Sequence, residues 1–193
     1  MLIGPSGVGK STLIERSGFS YVPSDTTRDI RPDEQEGVDM YFRKDYDQVA
    51  SDIKNGRFVQ IALFATGDLY ATKSTSYPDS GVGIMPVIAD VIPTFRSLGF
   101  KDTISAFITP PTYKEWMRRL KTHPITDEQL AKRLVEAQRS LKFALSDSET
   151  HFILNDDIDL AESQIHQLME GKVDDEREEL AKKTAQELLD SIN

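Results

Sequence analysis

The feature that most constrains this chain is a glycine-rich segment at residues 4–12, which fits the pattern G-x-x-x-x-G-K-[ST] of a phosphate-binding loop. Its glycines let backbone N–H groups approach an anion closely, Lys10 adds a positive charge, and Ser11 offers a hydroxyl to Mg²⁺. Because Met1–Ile3 before the loop is apolar and Thr12–Arg16 after it is typical of a helix, we predict a strand, a loop and a helix whose positive end faces the phosphates. The residues expected around the phosphates are Gly4, Ser6, Gly7, Val8, Gly9, Lys10, Ser11 and Thr12.

The composition is typical of a globular protein with an acidic balance. With 193 residues, 38% hydrophobic and 28% charged, the chain can bury one core and fits neither a disordered nor a membrane class. The net charge of -9 disfavours a nucleic acid polymer as partner, although a few cations can still hold a free nucleotide. The absence of cysteine excludes thiol chemistry, and His123, His151 and His166 lack the spacing of metal ligands. No signal peptide or membrane-spanning run is present, so we expect a cytoplasmic protein with no membrane partner.

A second candidate anion site is residues 24–32, where two arginines stand three apart among hydroxyl side chains. The segment follows Phe19–Val22, whose alternation predicts a strand. Guanidinium groups match phosphate oxygens with two parallel hydrogen bonds and keep their charge at any working pH, so Arg28 and Arg31 are candidates for an anion clamp. The alternative is a solvated turn. We predict that these arginines and Lys10 hold two adjoining phosphate groups.

The rest of the chain alternates between strands and helices. Apolar segments at Thr103–Ile108 and His151–Leu154 predict strands, and helical spacing predicts helices at Tyr113–Leu120 and Asp157–Met169. Thr126–Gln129 has the sequence of a capping box, which predicts the start of a further helix. This alternation after a phosphate-binding loop predicts an α/β fold with a mainly parallel sheet covered by helices, and a nucleotide at the carboxyl ends of its strands.

The loop and the arginine pair, together with later motifs, resemble guanylate kinase over about residues 1–170. The matching motifs are the loop, Thr26-Thr27-Arg28 with Arg31, Glu34, Gly37, Asp39 and Phe42, then Ile108–Pro111, Arg118–Leu120, Lys132–Leu134 with Ala137 and Gln138, and Asn155–Asp157. The resemblance implies one P-loop kinase domain over residues 1–193, with a small acceptor-binding lobe at 24–80, a helical lid at 113–139 and an extra C-terminal helix at 174–192. The implied reaction transfers the γ-phosphoryl group of ATP to GMP or dGMP, with ATP and Mg²⁺ as cofactors and only small-molecule nucleotides as ligands.

The resemblance also implies roles for individual residues. Those that match the catalytic residues are Lys10, Arg28, Arg119 and Arg133, and those that match the acceptor-binding residues are Ser24, Arg28, Arg31, Gln60, Tyr70, Thr72 and Asp90. Asn155 matches a residue beside the adenine of ATP, and Ser11 is the implied ligand of Mg²⁺. Alternatives stay open: Tyr70 as a half-buried aromatic, Asp90 as a helix cap, and Arg133 and Arg139 as solvated side chains.

Several positions depart from the family's pattern. Met40 replaces a tyrosine, Ile88 replaces the first acid of the pair that ends at Asp90, and Lys121 stands near the expected second lid arginine. Gln60 replaces a glutamate that reads guanine. A carboxylate accepts two hydrogen bonds from guanine, whereas an amide offers one acceptor and one donor, and a buried mismatch costs about 1–3 kcal/mol. It therefore stays open whether the acceptor base is guanine. Gln60 could bind guanine with a flipped amide helped by water, or recognition could have shifted to another base.

The last helix, predicted at Asp174–Ile192, carries an apolar stripe within a highly charged segment. The stripe consists of Leu180, Ala181, Ala185, Leu188 and Leu189. Such a stripe must be covered, because exposed apolar surface is unfavourable in water. It packs back on the domain, or it pairs with the same helix of a second copy in a homodimer.

Two other functions remain open at the level of sequence. One is a guanylate-kinase-like binding module without turnover, which the departures at Met40, Gln60 and Ile88 favour and the complete phosphate-binding loop opposes. The other is a P-loop kinase for a different phosphorylated acceptor, such as a ribose bisphosphate. The spacing of Arg28 and Arg31 after two threonines favours a nucleotide instead.

Overall fold

The computed structural model of the chain describes residues 1–31, 34–63, 67–122 and 125–192. The strands are β1 (Leu2–Ile3), β2 (Ser20–Tyr21), β3 (Ser24–Thr26), β4 (Met40–Phe42), β5 (Phe58–Leu63), β6 (Leu69–Lys73), β7 (Gly83–Ile84), β8 (Ser105–Thr109) and β9 (Thr150–Leu154). The α-helices are α1 (Lys10–Arg16), α2 (Tyr46–Lys54), α3 (Ile92–Ser97), α4 (Tyr113–Leu120), α5 (Asp127–Ser146), α6 (Ile158–Met169) and α7 (Asp175–Ile192), with 3₁₀ turns at Ser74–Ser76 and Ala89–Val91. His123, expected to bind no metal, and Pro32 of the arginine segment lie outside the described residues.

The chain forms two compact units. The first contains Met1–Gly18, Pro86–Pro93 and Lys101–Asn193, and the second contains Phe19–Met85 and Thr94–Phe100. Residues 24–80, predicted as the acceptor-binding lobe, belong to the second unit, and residues 113–139, predicted as the lid, belong to the first. Their roles as lobe and lid stay predictions.

The first unit is built on a parallel sheet with the strand order β1-β8-β9. Leu2 lies opposite Ala106, and β8 runs beside β9 from Ser105 opposite Thr150 to Thr109 opposite Leu154. Every residue of β8 is buried, which is typical of a strand covered by helices on both faces. The mainly parallel sheet and the strands predicted near Thr103–Ile108 and at His151–Leu154 are confirmed.

Capping side chains fix where the helices of the first unit begin. The Thr112 side chain accepts a hydrogen bond from the Glu115 backbone, so α4 starts at the predicted residue. At the start of α5, Thr126 and Gln129 form the predicted capping box in both directions. The Asp157 side chain accepts hydrogen bonds from the backbone N–H groups of Asp159 and Leu160 in the first turn of α6. These local predictions are confirmed because each depends on residues within one helical turn.

The second unit contains a four-stranded sheet with the order β4-β3-β6-β5 and a parallel pair of β2 with β7. In the larger sheet β3 and β4 are parallel, whereas β6 is antiparallel to both β3 and β5. β2 is shorter than the predicted strand at Phe19–Val22. Because side chains alternate between the two faces of a strand, Ser24 and Asp25 lie on opposite faces of this sheet.

Helix α7 buries its apolar stripe inside the first unit. It packs on β8, β9 and α5, and Ala181, Ala185, Leu188 and Leu189 are all buried, whereas Leu180 is 48% exposed. The stripe is therefore covered by the chain itself, as the first of the two alternatives predicts, and no homodimer is needed to explain it. Neither α7 nor any other helix in the described part of the chain is long and apolar enough to cross a membrane.

We expect Leu188→Ala to lower the free energy of unfolding by about 2–5 kcal/mol, because removal of a fully buried side chain leaves a cavity. Leu188 is 1% exposed. Leu180→Ala on the same helix is the matched control and should change stability by less than about 0.5 kcal/mol. Urea unfolding followed by circular dichroism measures both. Equal effects of the two substitutions would show that α7 does not pack through Leu188.

Candidate active site

The phosphate-binding loop joins β1 to α1, and its glycines are required by the space around them. Gly4, Gly7 and Gly9 have φ values of 133°, 79° and 98°, which favour glycine. A Cβ atom on Gly4 would lie 2.8 Å from the Ile108 carbonyl oxygen, and one on Gly9 would lie 2.5 Å from Asn155 Nδ2. The loop is thus tightly seated against β8 and the end of β9, in addition to having the open backbone that the sequence predicts.

Two side chains from other elements hold the loop in place. The indole Nε1 of Trp116 donates to the Ser6 carbonyl oxygen at 2.9 Å, and Asn155 Nδ2 donates to the Val8 carbonyl oxygen at 2.7 Å. Trp116 is fully buried, and Asn155 is nearly so. The supporting role of Trp116 was missed by the sequence analysis. The one available signal was that α4 carries the only tryptophan of the chain.

The Lys10 ammonium lies against the loop itself. Its Nζ donates to the Gly4 carbonyl oxygen at 2.6 Å and to the Pro5 carbonyl oxygen at 2.8 Å. Ser11 and Thr12 lie in the first turn of α1 and are exposed. The cation and the hydroxyl that the motif predicts for a polyphosphate are therefore neighbours at the same loop.

Arg119, the predicted lid arginine, bridges α4 and the residue after β9. Its Nε donates to Glu115 Oε1 at 2.8 Å, and its Nη1 and Nη2 both donate to the Asn155 carbonyl oxygen at 3.2 Å. Hydrogen bonds from Arg118 and Arg119 lower the pKa of Glu115 to about 2. Arg119 is thus held near Asn155, which also binds the loop. Arg133 lies half-buried on α5, and its catalytic role stays a prediction.

Asp90 lies in the 3₁₀ turn at Ala89–Val91 and pairs with α5. Arg139 Nη2 is 2.5 Å from Asp90 Oδ2. The residue at the cap of this turn is Ile88 and no side chain caps it, so Asp90 does not cap the turn in which it lies. The Arg139 side chain is 72% exposed, so it remains largely solvated in addition to this ion pair. The predicted contact of Asp90 with the acceptor stays a prediction.

Five of the predicted acceptor-binding residues lie together at one face of the larger sheet of the second unit, namely Ser24, Arg28, Gln60, Tyr70 and Thr72, whereas Asp90 belongs to the first unit. Arg28 Nε donates to Tyr70 Oη at 2.9 Å, and the Arg28 guanidinium lies 5.1 Å from the centre of the Phe42 ring. Ser24 Oγ is 3.5 Å from Thr72 Oγ1. Gln60 lies opposite Thr72 in the β5–β6 ladder and is buried. The Arg31 side chain is about half exposed.

The other face of this sheet carries a buried charge network that the sequence analysis missed. Asp25 Oδ1 lies 3.2 Å from Lys73 Nζ and 3.5 Å from Arg43 Nη1, and Lys73 Nζ also lies 3.4 Å from Asp52 Oδ2. Both carboxylates are buried. Burial raises the pKa of Asp25 in spite of the cations beside it. The network ties α2 to the sheet directly behind Ser24 and Thr72, so it supports the face that carries these two residues.

These features define a class of protein: an α/β chain with a phosphate-binding loop between a parallel strand and a helix, and an arginine–tyrosine cluster on a separate sheet. The family model for guanylate kinase matches residues 1–172. The chain belongs to the guanylate kinase family, which confirms the resemblance seen in its motifs.

Individual relatives agree with this assignment. The chain is 34% identical over 187 residues to a guanylate kinase of Frankia casuarinae, covering 89% of this chain and 96% of that protein. It is 33% identical over 172 residues to a guanylate kinase of Sus scrofa, covering 83% and 86%. The crystal structure of guanylate kinase from Anaplasma phagocytophilum matches 98% of this chain and 92% of its own with a TM-score of 0.64 at 24% identity, which supports the fold.

Proposed function

We propose that this chain phosphorylates GMP at the expense of ATP. The observation that carries the proposal is a complete phosphate-binding loop, with Lys10 and Ser11 in place, in a chain of the guanylate kinase family. The named guanylate kinases to which it is similar do not favour the two alternatives, a binding module without turnover and a kinase for another phosphorylated acceptor.

The reaction breaks the bond between the γ-phosphorus of ATP and its bridging oxygen, and forms a bond from an oxygen of the acceptor phosphate to that phosphorus. ADP leaves with the bridging oxygen. Because the acceptor phosphate is already an anionic nucleophile, no general base is required, and catalysis consists of placement and charge neutralisation. Lys10 and the loop N–H groups would neutralise the donor phosphates, Arg28, Arg31 and Tyr70 would hold the acceptor phosphate, and Arg119 and Arg133 would cover the moving group.

The residues at the loop fit ATP and Mg²⁺. Gly4, Gly7 and Gly9 carry no side chain that could cover the N–H groups of the loop, which leaves those donors available to an anion. Among the described residues no cluster of three or more His, Asp or Glu side chains forms a metal site. This fits Mg²⁺, which is bound by few protein ligands together with substrate phosphates, and the exposed Ser11 hydroxyl would be its ligand here. When bound, the ion would neutralise charge on the phosphates.

Base recognition would fall to a group of neutral side chains on the second unit. Gln60 is buried opposite Thr72, and Ser24 lies beside Thr72. The Gln60 amide can accept one hydrogen bond from guanine and donate one to it, and the hydroxyls can take either role. Guanine would therefore have polar partners at this face even though Gln60 stands where the resemblance implies a glutamate.

A coupled assay of ADP release over a panel of nucleoside monophosphates tests the proposed function. We expect Mg²⁺-dependent turnover with GMP and dGMP, and none after addition of a chelator. Turnover confined to AMP, CMP, UMP or a ribose bisphosphate would reassign the acceptor. Binding of GMP without release of ADP would instead support a module that has lost catalysis.

A further inference from the structure

Every N–H group of the Arg28 guanidinium already has an acceptor within the chain. Nε donates to Tyr70 Oη at 2.9 Å. Nη1 donates to Glu34 Oε2 at 2.7 Å and to the Asp29 carbonyl oxygen at 2.8 Å, and Nη2 donates to Glu34 Oε1 at 2.5 Å and to Met40 Sδ at 3.6 Å. Because arginine has five such donors, a phosphate cannot bind Arg28 unless one of these acceptors leaves.

Glu34 is the acceptor that most resembles a phosphate. Its two oxygens take parallel hydrogen bonds from the two terminal nitrogens of Arg28, which is the arrangement in which arginine binds carboxylates and phosphates alike. The Arg31 backbone N–H also donates to Glu34 Oε2 at 2.9 Å. An anion that approached Arg28 and Arg31 would therefore meet the same donors that Glu34 now occupies.

The Glu34 carboxylate is charged and firmly placed. Its side chain is 13% exposed and that of Arg28 is 11% exposed, so the pair is largely shielded from water. Burial acts to raise the pKa of Glu34, but hydrogen bonds from Arg28 and from the Arg31 backbone outweigh it, and the pKa lies below its ordinary value. At neutral pH the carboxylate is thus ionised and competes as an anion.

We propose that Glu34 is an internal competitor of the acceptor phosphate, which must displace its carboxylate from Arg28 in order to bind. This inference rests on the proposed function, in which Arg28 holds that phosphate. The competitor lowers affinity for the acceptor and makes the clamp selective for a dianion, because a phosphate carries more charge than the carboxylate that it replaces.

The exchange can occur without displacement of Arg28. After Glu34 leaves, the guanidinium keeps its hydrogen bonds to Tyr70 and to the Asp29 carbonyl oxygen, and it still lies over the Phe42 ring. Arg28 therefore stays aligned and presents to the phosphate the donors that Glu34 has vacated. Tyr70 and Asp29 therefore position the Arg28 guanidinium, whereas Glu34 takes up the donors that a phosphate would use.

Substitution Glu34→Gln tests the proposal, with Glu36→Gln as the matched control. Both remove one negative charge from the same segment, but Glu36 accepts from the Phe42 backbone N–H and has no hydrogen bond to Arg28. Calorimetric titration of the full chain should show GMP and inorganic phosphate each binding about tenfold more tightly to the Glu34→Gln variant. The control should bind like the wild type, and ATP binding should be unchanged in both.

Steady-state kinetics separates competition from a structural role. If Glu34 competes with the acceptor phosphate, KM for GMP should fall in Glu34→Gln while kcat does not rise. If Glu34 instead only positioned Arg28, its loss would weaken GMP and phosphate binding, and unchanged or weaker binding overturns the proposal. Should Glu34→Gln fail to fold, Glu34→Asp decides by the same criteria, because aspartate is one methylene shorter and cannot span both nitrogens equally well.

The same measurements distinguish this inference from the proposed function. Turnover of GMP by the wild type reports on the proposed function alone. Inorganic phosphate carries no base and needs no phosphoryl transfer, so its titration reports only on whether Glu34 excludes an anion from Arg28. If the wild type turns over GMP but Glu34→Gln binds phosphate no more tightly, the proposal for Glu34 is wrong and the proposed kinase function is unaffected.

Discussion

Substitution Lys10→Ala should reduce kcat for phosphoryl transfer by about 10³-fold or more, to the limit of detection, while the fold persists. Lys10 is the one side chain of the loop that carries a positive charge. In the transition state charge spreads over the oxygens of the moving group, and a cation fixed beside them acts where water is excluded and its effect is large. Alanine removes that charge, together with the hydrogen bonds from Nζ to the Gly4 and Pro5 carbonyl oxygens.

The fold should survive because the Lys10 ammonium donates to backbone oxygens of its own loop, at Gly4 and Pro5, and Lys10 is not one of the buried apolar side chains of the core. The loop remains fixed by Trp116 and Asn155. Thermal unfolding followed by circular dichroism checks this point. Lys172→Ala is the control, because Lys172 is an exposed lysine of the same unit that pairs with Glu170. Full turnover in Lys10→Ala would contradict the assignment of the loop as the donor site.

Substitution Arg28→Lys should reduce kcat/KM for GMP by about 10²–10³-fold while KM for ATP stays the same. Lysine keeps the positive charge but has no planar fork, so it cannot bind two phosphate oxygens in parallel and keep the bond to Tyr70 at once. The loss of two charge-assisted hydrogen bonds, each worth about 1.5–2 kcal/mol, gives the expected range. A charge effect alone would leave the variant close to the wild type.

Arg57→Lys is the matched control for Arg28→Lys. Arg57 belongs to the same unit, is 61% exposed and pairs with Asp52 on the far face of the sheet. Initial rates measured at varied GMP and at varied ATP separate the two Michaelis constants. A rise in KM for ATP, or an unchanged KM for GMP, would show that Arg28 does not hold the acceptor phosphate.

Features that depend on residues close in sequence could be predicted. The phosphate-binding loop is encoded by glycines, a lysine and a serine within nine positions, and the start of α5 by Thr126 and Gln129 within one turn. The ends of α4 follow from Thr112 and from the apolar spacing after it. In each case the physical cause, a backbone conformation or a capping hydrogen bond, lies within a few residues of its signal.

Features that depend on the approach of distant segments could not be predicted. The indole of Trp116 meets the loop across 110 positions, and Asn155 meets Val8 across 147. Nothing in the sequence distinguishes Asp25 from a surface charge, yet it is buried between Lys73 and Arg43, and nothing in the sequence indicates that Arg139 pairs with Asp90. Charge type alone does not fix a partner, because many pairings are nearly equal in energy until the fold selects one.

Glu34 shows the limit of motif analysis most clearly. The motif shows that Glu34 follows Arg28 and Arg31 at a fixed spacing. It does not show that the Glu34 carboxylate accepts hydrogen bonds from both terminal nitrogens of Arg28. That statement depends on the path of the chain between Arg31 and β4. The two arginines predicted as an anion clamp do hold an anion, and that anion is a side chain of the protein.

The most direct test of the account follows the phosphoryl group itself. The full chain is incubated with ATP labelled at the γ-phosphate, Mg²⁺ and GMP, and the products are separated by chromatography. The account predicts that the label appears in the β-phosphate of GDP in step with ADP. Label that appears only as inorganic phosphate, or that stays in ATP while GMP is bound, would contradict it.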